Sequence, residues 1–124
     1  MLLVIKDPLL AGQVEVGLEA FGDLEVEREN GLLALEKMRS GEFDAVLVAL
    51  DPSAPENQDF FERARLEAAD RALVVFGHEA LLRKLRDEKE RESLFALLST
   101  PLDPVELFRA IHRLRHRRVA TRAR

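Results

Sequence analysis

Apolar and polar positions along the chain fall into short blocks that alternate between two periods. The run from Phe43 to Leu50 is continuously apolar after Asp44 and is closed by Asp51, Pro52, Ser53, Ala54 and Pro55. Such a run reads as a strand buried on both faces, which in a short chain requires a parallel sheet covered by helices on both sides. Met1 to Ile5, stopped by Lys6-Asp7-Pro8, and Ala72 to Phe76, stopped by Gly77-His78, have the same character. Ser93 to Leu98, leading into Ser99-Thr100-Pro101, is read as a further strand. Leu24 to Arg28 alternates instead, which marks a strand with one wet face near a sheet edge.

Between these runs the apolar residues recur at helical spacing. Asp7-Pro8 is a cap and first-turn signal, and Leu9, Leu10, Val14, Leu18 and Phe21 follow it until Gly22. After the Asn30-Gly31 turn, Leu32, Leu33, Leu35 and Met38 predict a second helix ending at Ser40-Gly41. A third is expected from Asn57 to Ala69 with Phe60, Phe61, Ala64 and Ala68 inside, and a fourth from Glu79 to Glu90 with Leu81, Leu82 and Leu85. The last begins at Asp103-Pro104 and buries Leu107, Phe108, Ile111 and Leu114. The order is strand then helix, five times. Right-handed crossovers of this length point to a flavodoxin-like doubly wound (βα)5 three-layer sandwich with a parallel five-stranded sheet in the order 2-1-3-4-5. Chemistry in such sheets belongs at the carboxyl ends of the strands, here Ala49, Leu50, Asp51 and the loop after them.

Composition narrows the function classes. A chain of 124 residues makes one domain, assigned to residues 1–117, with 118–124 expected to be a disordered basic tail. No apolar run approaches the ~20 residues that cross a bilayer, and the first residues lack the basic lead and cleavage site of a secretory signal, so no membrane association and a cytoplasmic setting are expected. Without cysteine there is no disulfide, thiolate nucleophile or Cys-type zinc site. Charge is unevenly placed: residues 1–106 hold 12 basic and 23 acidic residues, a net charge of −11. Residues 107–124 hold seven arginines and no acid. The favoured reading of that end is a solvated helix terminus whose arginines oppose the helix dipole; contact with nucleic acid ranks below it.

From Met1 to about Arg117 the chain resembles the receiver domain of two-component response regulators. The resemblance is carried by Asp7-Pro8-Leu9-Leu10 after the first strand, Glu29-Asn30-Gly31 before Ala34-Leu35, Phe43-Asp44-Ala45-Val46-Leu47-Val48 before a Pro-containing loop, and Pro101-Leu102-Asp103-Pro104-Val105-Glu106-Leu107. It implies a phosphoacceptor aspartate after the central strand, an acid pair holding Mg²⁺ after the first, a hydroxyl residue after the fourth, and a lysine and a switch aromatic in the fifth. The corresponding positions here are Ala49 for the phosphoacceptor, Ile5 and Lys6 or Lys6 and Asp7 for the acid pair, Gly77 for the hydroxyl, Thr100 for the lysine and Leu97 for the aromatic. Every functional position is altered. Alanine cannot form an acyl phosphate, and an ammonium at the metal position repels Mg²⁺ by on the order of several kcal/mol, so loss of Mg²⁺ binding and of phosphotransfer is expected and no cofactor is assigned.

Asp51, two residues past Ala49, shares its facing and is the nearest carboxylate, either as a displaced phosphoacceptor or, the favoured reading, as an ion-pair partner of Lys6 filling the metal position. His78 is weighed as an acid or base and read as a helix-start residue. His112 and His116 have a spacing that can hold a metal, but no third ligand is evident, so two exposed helix residues are favoured. Leu81, Leu85, Leu97, Val105, Phe108 and His112 are assigned to a candidate interaction face formed by the fourth helix, fifth strand and fifth helix, through which the resemblance allows a homodimer. The reading is a phosphorylation-independent receiver-like interaction module in bacterial signal transduction, with an unidentified protein partner. The alternatives are an atypical response regulator still answering to phosphate in a phosphorelay, and a nucleic-acid-associated regulator using the arginine tail. No nucleophile, base and oxyanion set converges, so an enzyme is not expected.

Overall fold

The computed structural model describes residues 1–40, 43–67, 72–86 and 96–122, the last six as backbone alone. The elements are β1 (Leu2–Val4), α1 (Pro8–Glu19), β2 (Glu27–Arg28), α2 (Gly31–Ser40), β3 (Ala45–Ala49), α3 (Pro55–Glu67), β4 (Ala72–Gly77), α4 (Glu79–Arg86), β5 (Ala96–Ser99) and α5 (Pro104–Arg122). All strand pairs are parallel and the order is β2-β1-β3-β4-β5, the flavodoxin-like arrangement expected from the sequence. Parts of the expected elements, namely Gly41, Ala68 and Ala69, residues 87–90 and residues 93–95, lie outside the described residues.

Because side chains of a strand alternate between faces, each central strand feeds two cores. Leu3, Leu47, Ala49, Val74 and Phe76 pack with α1 and α5 through Leu10, Val14, Leu18, Leu107, Ile111 and Leu114. Leu2, Val4, Val46, Val48, Leu73 and Val75 pack on the other side with Leu35, Met38, Phe60, Phe61, Leu82 and Leu85. All five residues of β3 are buried, which makes it the central strand. At its end Ala49 belongs to the α1 and α5 side, and so sets the facing of whatever the β3–α3 loop presents there.

Helix faces differ in detail from the sequence expectation. Leu9 is 70% exposed, and Leu32 and Leu33 are 69% and 58% exposed, because helical spacing offered more leucines than the stripe facing the sheet can take. Only two residues of the expected β2 run pair with β1. The α5 backbone stays helical to Arg122, through most of the segment expected to be a disordered tail; arginine is a good helix former and opposes the dipole at that end. Along the α1–α5 seam Gly17 admits Leu107, whose Cδ2 lies 2.6 Å from where a Cβ would stand. Phe21 stacks on Phe108 with centroids 5.1 Å apart.

The one buried polar residue among those described is Asn57, in the first turn of α3. Its Oδ1 accepts from Gly31 N–H at 2.9 Å and its Nδ2 donates to Asn30 Oδ1 at 2.9 Å, tying the start of α3 to the start of α2. Gly31 is at φ +58°, a conformation that glycine adopts without the Cβ penalty. Replacing Asn57→Ala should lower the free energy of unfolding by about 1–3 kcal/mol, because it strands a buried donor. Gln58→Ala, one residue on and exposed, should change it by less than ~0.5 kcal/mol. Urea denaturation measures both, and equal effects would contradict the role given to Asn57.

Candidate functional site

β1, β3, β4 and β5 end around one cleft of about 310 Å³. Each strand delivers one or two of the positions singled out from the sequence: Lys6 and Asp7 after β1, Ala49 and Asp51 at the end of β3, Gly77 and His78 at the end of β4, and Thr100 after β5. The fold thus gathers seven residues that lie up to 94 positions apart. Two others do not line it. Ile5 is 2% exposed in the α1-side core, so of the two alignments considered for the acid pair only Lys6 and Asp7 face the cleft. Leu97 points instead into a groove between α4 and α5.

The expected Lys6–Asp51 pair does not form. Lys6 Nζ lies 3.1 Å from Glu56 Oε1 and donates to the Ser53 carbonyl at 3.3 Å. The reason is the turn that Asp51 itself makes: Asp51 Oδ1 accepts from Ser53 N–H at 2.9 Å, and Ala54 N–H returns to the Asp51 carbonyl at 2.9 Å. An Asp that hydrogen-bonds the backbone two residues on closes an Asx turn, which commits one carboxylate oxygen to its own loop. That turn swings the chain so that Glu56, in the first turn of α3, meets the ammonium. Lys6 is paired nonetheless, but its partner comes from a helix that spacing alone did not place at the cleft.

Both acids are held below the ordinary carboxylate range. For Asp51 the main cause is the Ser53 backbone N–H, followed by the Ser53 hydroxyl, with smaller help from the charges of His78 and Lys6. For Glu56 it is its own backbone N–H, then the hydrogen bond from Lys6. Asp7 is engaged too: its Oδ1 accepts from Leu9 N–H at 3.1 Å and caps α1, as the Asp7-Pro8 signal predicted. On the opposite wall Gly77 lets α4 close on β4, since a Cβ there would stand 3.2 Å from Leu81 Cδ2. Thr100 N–H donates to the Gly77 carbonyl at 2.9 Å, and the Thr100–Pro101 peptide is cis.

The candidate interaction face is not the apolar surface expected. Leu85 is 5% exposed and Leu81 packs on the same core, because the short α4 turns its leucines to the sheet. Phe108, 48% exposed, leans the other way, onto Phe21 of the α1 side. Val105 is 54% exposed on the open side of α5, and Leu97 and His112 line the groove between α4 and α5. What surrounds them there is mainly charge: Glu79, Arg86, Glu106, Arg109 and Arg113. His112 and His116 touch through their Nε2 atoms at 3.0 Å. Among the described residues no three His, Asp or Glu side chains converge as a metal-ligand group.

Since the folded pKa of Asp51 lies below its unfolded value, its contribution is complete above the unfolded carboxylate pKa of about 3.9 and disappears as pH falls through the lower folded value. Urea midpoints followed from neutral pH down to about pH 3 should therefore fall more steeply in the native chain than in Asp51→Asn. Parallel slopes would mean that the Ser53 contacts do not hold the carboxylate ionised.

No protein-family model matches the sequence, and no curated protein is similar to it at a significant level. Solved structures are. A protein assigned as a response regulator from Chloroflexus aurantiacus J-10-fl superposes with a TM-score of 0.71 at 21% identity, covering 91% of this chain and 93% of that one. The N-terminal signal receiver domain of a two-component response regulator from Bacteroides fragilis superposes with a TM-score of 0.67 at 16% identity, with the same coverage of 91% and 93%. Among the described residues no helix is long and apolar enough to cross a membrane. The chain has the fold of response-regulator receiver domains over nine-tenths of its length.

Proposed function

We propose that the chain is a signalling module of the receiver type whose output does not pass through phosphoryl transfer. One observation carries the reading: the strand ends that would need carboxylates present a methyl at Ala49 and an ammonium at Lys6, and that ammonium is held in place by Glu56 and the Ser53 carbonyl. An acyl phosphate needs an oxygen nucleophile, and Ala49 has none. A Mg²⁺ ion needs an octahedron of hard oxygen donors. The residues here do not fit it, because Asp7 and Asp51 each commit an oxygen to a backbone N–H and Lys6 adds like charge against the ion.

Function then rests on a surface held in one state. The β3–α3 loop is fixed by three unlike contacts, the Lys6 ion pair, the Asx turn at Asp51 and the buried Asn57 link to α2. Fixing a loop before binding lowers the ordering cost that a partner must overcome. The charged groove between α4 and α5, with Leu97 at its floor, is the surface we assign to a protein partner or to a second copy. A mixed lining of arginines and glutamates favours selectivity and association rate over bulk affinity.

The second reading keeps phosphate, with Asp51 as a displaced acceptor, because Asp51 lines the cleft and is held ionised beside His78. Incubation of the full chain with Mg²⁺ and a small acyl-phosphate donor, followed by intact-mass measurement, separates them. No gain in mass is expected. A gain of one phosphoryl group that disappears in Asp51→Asn would replace this proposal with the second reading.

A further inference from the structure

The cleft is larger than the contacts across it require, and its two sides differ. Pro101 and Leu102 form an apolar wall backed by the buried Leu10 and Phe76, and Leu9 stands exposed at the rim. The small side chain of Ala49 leaves the floor open. Facing the wall, Lys6, Asp7, Asp51, His78 and Thr100 line the cleft, and because the Lys6 ammonium is paired with Glu56 and the Ser53 carbonyl, the Asp7 and Asp51 carboxylates outweigh it there. A volume near 300 Å³ with an apolar wall and a few placed polar groups is the usual form of a small-ligand pocket, and the carboxyl ends of parallel strands are its usual place.

We propose that this cleft binds a small cationic amphiphile, an amine of about ten heavy atoms or fewer. Its apolar body lies along Leu9, Pro101 and Leu102, and its ammonium faces Asp51. The sign of the ligand follows from the arrangement. A compact anion such as phosphate would meet two carboxylates and an ammonium already engaged by Glu56, whereas an ammonium meets an ionised Asp51 in a half-enclosed setting. Occupancy would act on the β3–α3 loop directly, because Asp51 opens that loop and its turn sets where Glu56 meets Lys6. The inference rests on the reading above, that the cleft holds neither Mg²⁺ nor a phosphoryl group.

Amide NMR of the full chain, titrated with benzylamine and in parallel with benzoate and with inorganic phosphate, tests it. Benzylamine should give saturable shifts confined to residues around Ala49, Asp51, Gly77 and Leu102, and both anions should bind more weakly or not at all. Asp51→Asn should weaken benzylamine by about fivefold, the scale of one partly exposed charge contact. Ala49→Leu, which fills the floor, should abolish the shifts, and Asp51→Asn keeps the test decisive if that variant does not fold. Benzoate binding as tightly as benzylamine, dispersed or non-saturating shifts, or unchanged affinity in Asp51→Asn would each overturn the proposal. A phosphoryl adduct in the mass experiment would remove the reading beneath it but would leave the titration to decide amine binding by itself.

Discussion

The ammonium of Lys6, held between Glu56 and the Ser53 carbonyl, is the contact around which the functional end of the molecule is arranged. It joins the end of β1 to the loop after β3 and to the first turn of α3, three segments that meet only because the sheet is parallel and both strands end on the same side. The pair is half-exposed, so its worth lies less in stability than in direction: it fixes where the loop goes. Asp51 closes a turn within that loop, and Asn57 anchors the helix that follows. Remove the cation and, of the two remaining holds, the Asp51 turn is local and only Asn57 still reaches another element.

The cleft depends on the packing beneath it. Alternate residues of β3 and β4 feed separate cores, and Ala49 and Phe76, the last of each strand on the α1 side, are buried beneath the cleft. α5 completes that side only because Gly17 lets Leu107 come close to α1, with Phe21 on Phe108 and Arg115 forked onto Asp23 sealing the end of the seam. Small residues thus appear twice with different effects. At Gly17 and Gly77 the missing side chain lets a helix close on its neighbour, and at Ala49 the small one leaves space among residues with charge.

Strand identity and order were legible because fully buried parallel strands leave continuous apolar runs, and β1, β3 and β4 are such runs bounded by residues that stop a ladder. The cleft residues were legible for the same reason: once strand ends are known, the residues at one end of the sheet are known. The choice of charge partners was not. Lys6 could reach Asp51 or Glu56, and the decision lies in the Asp51 turn, a matter of backbone direction rather than of spacing. Asn57 was read as a helix start and its burial was missed, although a polar residue one turn before Phe60 and Phe61 on the inner stripe was a signal. The excess of leucines hid which helix faces are exposed: Leu35 turned inward and Leu33 outward, since hydropathy is alike for both and only sheet geometry distinguishes them.

The proposed function holds that the Lys6 ammonium stands where a metal ion would otherwise sit. Its most direct test is an amide NMR titration of the native chain with Mg²⁺ at millimolar concentrations, followed at Lys6, Asp7 and Asp51. The account predicts no saturable shift at these three residues. Saturable shifts at all three, with Lys6 displaced from Glu56, would show that the carboxylates can gather around the ion and would contradict it.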